Sequence, residues 1–283
     1  MTPLVVVAVL VAAVAHASWN AVAHGIKDQL VAFTLVGGGG ALCGAALLPF
    51  APAPDAGAWP CLLVSALLHV VYQGLLMRSF SLGDFGQMYP IARGTAPLAV
   101  TALAAVFAAE LPDGPQLAGV AVASAGLVGL ALWGIRGSGA RPDWTAVGAA
   151  CATGLAIAAY TVVDGLGVRA SGSPLGYIAW LMILEGLVIP AYAVGTRRGG
   201  FLAQVRPFAV RGLAGGLLSV FAYGLVLWAQ TRAALAPVAA LRESSILVGA
   251  GIGAVFMKER FGAPRVAAAG LMVAGIGLML HGG

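Results

Sequence analysis

Charge is what this chain has least of. Only 9% of its 283 residues are Asp, Glu, Lys or Arg, while 60% are hydrophobic. A water-soluble domain of this length needs a charged surface, so a soluble globular fold is excluded and the solvent is lipid. The net charge of +5 would suggest a polyanionic partner in a soluble protein. Here most cations fall between apolar segments, where they orient a chain in a bilayer, and no nucleic-acid partner is expected. Cysteine is scarce too. Cys43, Cys61 and Cys151 are odd in number and form no CxxC, so neither a disulfide framework nor a zinc site is implied. No HExxH, paired-aspartate or GxSxG motif occurs, which argues against an intramembrane enzyme. The run Gly37 to Gly40 has no strand or lysine around it and is not a phosphate loop. No cofactor and no metal are expected, and nothing is present to bind ATP.

What the chain does have is apolar length. A membrane-spanning helix needs about 20 mostly apolar residues. Ten such segments fit, over 3–24, 31–50, 59–80, 85–108, 115–134, 144–168, 174–195, 208–231, 235–257 and 263–281. Pro49, Pro52, Pro54 and Asp55 separate the second from the third, and Pro112-Asp113-Gly114-Pro115 ends the fourth. Ala15-His16-Ala17 resembles a signal-peptidase site, but no Lys or Arg precedes the apolar run and the run continues past it, so a retained first helix is expected. The expected fold class is an all-α integral membrane protein of ten transmembrane helices.

The chain also repeats itself. An offset of 149 residues sets Arg93 on Arg242, Glu110 on Glu259, Pro115 on Pro264 and Gly126 on Gly275. This predicts two five-helix repeats, 1–135 and 144–283, joined by a polar linker at 136–143. Five is odd, so the second repeat enters the bilayer from the opposite side and the repeats are inverted. The glycines at 37–40, and Gly249, Gly251 and Gly253, predict close helix contacts. Loops after the odd-numbered segments hold Lys27, Arg78, Arg136, Arg141, Arg197, Arg198, Arg206, Arg211, Lys258, Arg260 and Arg265; the other side holds Arg169 and Arg232. The positive-inside rule then places both termini outside.

Arg93 and Arg242 lie inside apolar runs, roughly 10–12 Å deep along their helices. A charge there needs a partner, a water-filled cavity or a substrate. Tyr89 precedes Arg93 by one helical turn, and Pro90 and Pro97 should distort its helix. Glu243, Ser244 and Ser245 follow Arg242. One reading is a polar cavity whose arginines bind an anionic group such as a carboxylate. The other is an internal ion-pair network in which Glu243, Glu185 or Asp164 lock the helices together. His16, Asn20 and Lys27 form a stripe on the first helix beside Trp19, and Tyr160 and Asp164 share a face of the sixth. His69, Tyr72 and Gln73 lie on the third helix; Tyr223, Trp228 and Gln230 lie on the eighth. Trp19, Asn20, Tyr72, Tyr89, Tyr160 and Tyr223 are candidate lining residues. His16, His69, Asp164 and Glu185 are candidates for proton coupling. Trp59, Trp133 and Trp144 read as interface anchors, and Glu110 and Glu259 as architectural groups at helix ends.

Together, the ten segments, the His16…Trp19-Asn20 motif and a Glu-x4-Pro-x3-Gly pattern closing each half resemble the drug/metabolite transporter superfamily, EamA type. The pattern runs Glu110, Pro115, Gly119 and again Glu259, Pro264, Ala268, the second copy having Ala for Gly. The similarity covers essentially the whole chain. It implies a central cavity formed by helices one, three, four, six, eight and nine. It also implies cytoplasmic termini, against the charge count, and secondary transport of amino acids, metabolites or drugs. The expectation is an exporter in the bacterial inner membrane for a small amphipathic metabolite such as an amino acid or related carboxylate, working as a monomer. A lipid-carrier or drug translocase of the same fold is the alternative, and a structural or sensory subunit a further one.

Overall fold

In hydrocarbon every backbone N–H and C=O must be satisfied within the protein, and a helix does this segment by segment. The computed structural model describes residues 1–24, 26–82, 85–137, 143–197, 200–249 and 263–281, and among these the regular structure is all helical. The main elements are α1 (Pro3–His24), α2 (Gln29–Leu47), α3 (Trp59–Leu82), α4 (Phe85–Phe107), α5 (Gly114–Gly137), α6 (Trp144–Ala170), α7 (Pro174–Gly186), α8 (Val188–Arg197), α9 (Phe201–Val205), α10 (Ala209–Gln230), α11 (Leu235–Arg242) and α12 (Ala263–His281). Eight described spans are long and apolar enough to cross a membrane, and Val266–His281 is a shorter apolar helix. Large apolar side chains such as Leu4, Leu67, Val106 and Leu217 face outward, as a lipid-facing surface requires.

The observed helices match the expected segments within a few residues at most ends, and differ at two interruptions. The seventh segment splits at Leu187 into α7 and α8. Pro190 has no N–H to give the Gly186 carbonyl, so the α-helical ladder fails there. The ninth segment ends as α11 at Arg242, turns through Glu243 and Ser244, and is helical again over 245–249. By contrast, Pro90 and Pro97 lie inside a continuous α4, although Pro97 leaves the Arg93 carbonyl without its i+4 donor. Arg141, Arg198, Gly251, Gly253, Lys258, Glu259 and Arg260 lie outside the described residues.

The chain forms two compact units. One comprises Met1–Val6, Val71–Val162 and Ala233–Gly283; the other comprises Val7–Val70 and Val163–Arg232. Each draws on both of the expected repeats, 1–135 and 144–283.

In the second unit α2 packs on α7 and α10. A Cβ added at Gly44 would lie 2.6 Å from the Ala179 carbonyl oxygen, and one at Gly186 would lie 2.4 Å from the Gly37 oxygen. Residue numbers rise along α2 as they fall along α7, so the two run antiparallel. A Cβ at Gly216 would come within 2.4 Å of the Gly39 carbonyl carbon. In the first unit α5 packs on α4 and α12. Gly119 meets Gly275, and Gly126 meets Ala268, again antiparallel.

Loop residues of the second unit also contact one another. In the second unit Asp28, after the first span, pairs with Arg197, after the seventh. There too the Asp55 N–H, after the second span, donates to the Ser171 carbonyl, after the sixth, at 3.1 Å. Asp28 also caps α2, accepting from the Leu30 and Val31 N–H groups at 3.0 and 3.2 Å. Ser173 caps α7 through the Gly176 N–H at 3.0 Å. Trp133 and Trp144 are exposed, whereas Trp59 packs edge-on against Trp180 at 5.1 Å.

Two predictions follow from these contacts. Gly216→Ala pushes a methyl into the α2 backbone, whereas a methyl at Gly74 meets nothing within 4 Å. Overpacking of this kind costs about 1–3 kcal/mol, so Gly216→Ala should lower the melting temperature of the detergent-solubilised protein while Gly74→Ala leaves it within error; equal shifts refute the close contact. The hydrogen bond from Arg197, strengthened by the two cap donors, holds the Asp28 carboxyl below its ordinary range. A depressed carboxyl stabilises the fold above its unfolded pKa of about 3.9 and loses that contribution as pH falls through the lower folded value. The pair is part-exposed and screened, so the effect is at most about 1 kcal/mol. Asp28→Asn should flatten the acid limb of melting temperature against pH; an unchanged limb would refute the link.

Candidate functional site

Among the described residues, each unit buries a cluster of ionisable side chains. In the first unit the cluster is built on α4 and on the end of α11. Arg93 is 3% exposed, Arg242 4% and Glu243 1%. The Arg93 Nε lies 2.6 Å from Glu243 Oε2, and the Arg242 Nε lies 3.9 Å from Glu243 Oε1. Arg93 Nη2 donates to the Ser245 hydroxyl at 3.1 Å. The Tyr89 ring lies 5.7 Å beneath the Arg93 guanidinium, a cation–π contact. Tyr72 and Tyr160 stack edge to face at 5.5 Å, within Coulombic range of Arg93.

The ninth span supplies this geometry because it is broken. The Glu243 and Ser244 N–H groups reach back only three residues, to the Ala240 and Leu241 carbonyls, each at 3.1 Å. That tightened turn ends α11 with Arg242 in its last turn, where a cation complements the helix dipole. The other end of α11 is held by Glu110, whose Oε2 accepts from the Leu235 N–H at 2.7 Å. A carboxylate at a helix N-terminus satisfies an orphan donor and meets the positive dipole end. All eight residues of α11 are buried. The architectural role expected of Glu110 takes this concrete form.

The second unit gathers the other candidates. Asp164 is fully buried and accepts from the Tyr177 hydroxyl at 2.9 Å and from the Tyr223 hydroxyl. His69 Nδ1 lies 3.0 Å from the Ser65 carbonyl oxygen and 3.6 Å from Glu185 Oε2. Its ring meets the Tyr223 ring edge-on at 5.6 Å. Of the three acids considered as partners for the arginines, Glu243 takes that place, and Asp164 and Glu185 belong to this cluster. Tyr223 joins it too. Tyr177 and Ser65 were not singled out from the sequence. The available signal was spacing: Ser65 and His69 are one turn apart, and Tyr177 and Glu185 are about two turns apart on one face.

The first-helix motif forms a third, local group. The Trp19 indole N–H donates to His16 Nδ1 at 3.3 Å, and the Asn20 amide donates to the His16 carbonyl at 2.9 Å. Gln230 is buried, and its carbonyl accepts from Arg169 Nε at 2.8 Å; Arg232 stacks over Trp228 at 4.8 Å. Both cations of the less basic side are therefore held by neighbours.

No protein-family model matches the chain, and no curated protein does. A solved chain, described only as the crystal structure of a protein, superposes with a TM-score of 0.74. It covers 100% of this chain and 98% of its own at 15% sequence identity. A likeness at that identity shows the fold alone.

Removing Glu243 leaves two buried guanidiniums without their shared carboxylate. Such a loss costs about 3–5 kcal/mol, so Glu243→Gln should unfold at markedly lower denaturant in reversible micelle titrations. Glu110→Ala should cost about 0.5–2 kcal/mol, as loss of a helix cap does. A wild-type midpoint for Glu243→Gln would refute the triad.

Proposed function

We propose that this chain is a secondary transporter of the drug/metabolite transporter superfamily, EamA type. In this reading it sits in the bacterial inner membrane and moves a small amphipathic metabolite, an amino acid or related carboxylate, outward by alternating access. The observation that carries the reading is the Arg93–Glu243–Arg242 cluster. Two guanidiniums share one carboxylate, so these three side chains sum to one positive charge in a low-dielectric site. A substrate carboxylate can form the bidentate pairs that guanidinium favours. Tyr72, Tyr89 and Tyr160 offer apolar faces with polar tips to the rest of such a molecule. The break at Glu243–Ser244 supports the same reading, because transporters build ion and substrate sites at interrupted helices.

Glycine contacts support the inverted repeat. At the offset of 149, Gly119 corresponds to Ala268 and Gly126 to Gly275. The observed contacts, Gly119 with Gly275 and Gly126 with Ala268, therefore exchange with each other under the repeat. At an offset of 142, Gly37 corresponds to Ala179 and Gly44 to Gly186, and the contacts between α2 and α7 exchange in the same way. A contact set that maps onto itself between antiparallel helices is what a two-fold axis across the helices produces.

The test is thermal stabilisation of the purified protein by a panel of amino acids, organic acids, cationic drugs, nucleotide sugars and lipid head groups, repeated with Arg93→Ala/Arg242→Ala. A ligand binding only the folded state raises the melting temperature by mass action. Stabilisation by carboxylates in the parent protein, absent from the double variant, is expected. Stabilisation by a drug or lipid head group that persists in the variant refutes the role given to the arginines and favours the translocase alternative.

A further inference from the structure

We propose that Glu185 and His69 form a proton-binding site, with Asp164 as its neighbouring acid. The proposal deepens the transport reading by naming an ion that the protein carries, and so rests on that reading for its purpose, though not for its test.

The argument is the unequal bonding of the two acids. Asp164 receives two hydroxyl donors, one from α7 and one from α10, on its two oxygens. Two donated hydrogen bonds favour the ionised form of a carboxyl over the protonated one. Of the two acids, Asp164 is therefore the one whose charged form is better held. Glu185 Oε2 has His69 Nδ1 beside it at 3.6 Å, longer than a hydrogen bond. Both are buried, Glu185 at 8% exposure and His69 at 6%. A proton can thus join this pair without displacing the hydroxyls on Asp164. It comes from water, adds to a Glu185 carboxylate oxygen and cancels one negative charge; on release it returns to water, and no electrons move. Buried ionisable groups inside a membrane that face one another are the usual material of proton relays.

Several polar groups among the described residues face the site. From α3 the site faces Cys61, Ser65 and His69; from α6, Asp164; from α7, Tyr177; from α10, Tyr223. The adjoining α2 brings Cys43, which packs into the apolar cluster. Asp28 and Arg197 satisfy each other at the ends of α2 and α8, and Arg169 donates to the Gln230 carbonyl.

Position gives the proton a mechanical consequence. Glu185 is the penultimate residue of α7, immediately before the interruption at Leu187. Neutralising it removes a buried negative charge between α3 and α7 where α7 has lost its regular hydrogen bond. The bound proton therefore biases a joint that is already broken.

Infrared titration tests this without any ligand. The full-length protein is labelled with carbon-13 glutamate, which marks Glu110, Glu185, Glu243 and Glu259 alone. As pH is lowered from about 9 to about 5, the span over which buried carboxyls and histidines exchange protons, a labelled carboxylic-acid band should appear. It should vanish in Glu185→Gln and persist in Glu110→Ala. If Glu185→Gln does not fold, Glu185→Asp serves, since the labelled band must then be replaced by an unlabelled one. His69→Gln should move the midpoint. A labelled band that survives both Glu185 substitutions overturns the proposal, as does the absence of any such band. Because no ligand is used, a silent ligand panel with a titrating Glu185 would sink the transport reading alone, and the converse would sink this one.

Discussion

The cost of an unpaired polar group in hydrocarbon governs this structure at every scale. It makes the backbone helical, since only helices satisfy their own N–H and C=O groups within one segment. It also governs the exceptions. Where α11 begins inside the protein, Glu110 reaches across to the Leu235 N–H. Where the same span breaks, the turn at Glu243 and Ser244 keeps short backbone bonds. Among the described residues, buried ionisable groups come in clusters, Arg93 with Glu243 in one unit and His69 with Glu185 in the other.

The second governing fact is that lipid supplies no hydrophobic drive between helices. Association rests on close packing, and small residues permit it. The contacts of Gly39 with Gly216, Gly44 with Ala179 and Gly119 with Gly275 are backbone against backbone. These contacts leave no room for side chains, so polar groups collect elsewhere, at the turn after α11 and on α3, α6, α7 and α10. Rigid glycine seams and polar clusters thus divide the interior between them.

Much of this was legible in the sequence because its cause is local. Segments of about 20 apolar residues mark helices directly, and α12 begins and ends where the pattern places it. Arg93 and Arg242 stood out because nothing else in their segments resembles them. The interruptions were harder to read. Pro190 lies three residues beyond the break it causes, and prolines inside α4 cause no such break. The Arg-Glu-Ser-Ser run at 242–245 is a stronger signal, since Ser favours turns over helix interiors, but the apolar residues after it masked the turn. The partner of each acid was the least legible feature. Asp28 and Arg197 are 169 residues apart, and Tyr177 looked like one aromatic among many until α7 carried it to Asp164.

On the inverted-repeat reading, scaffold and chemistry obey the axis differently. A contact that lies on a two-fold axis must suit both of its sides, so Gly119, Gly126, Gly275 and Ala268 all stay small. The charged groups are under no such demand. Arg93 corresponds to Arg242, but at the same offset Glu243 corresponds to Gly94 and Ser245 to Ala96. Gly94 is not free to become acidic: a Cβ there would lie 2.9 Å from the Leu127 Cβ. The α4–α5 contact therefore forbids a second carboxylate at the matching position. Glu243 then lies beside both arginines with no counterpart on α4, an asymmetry that follows from helix packing.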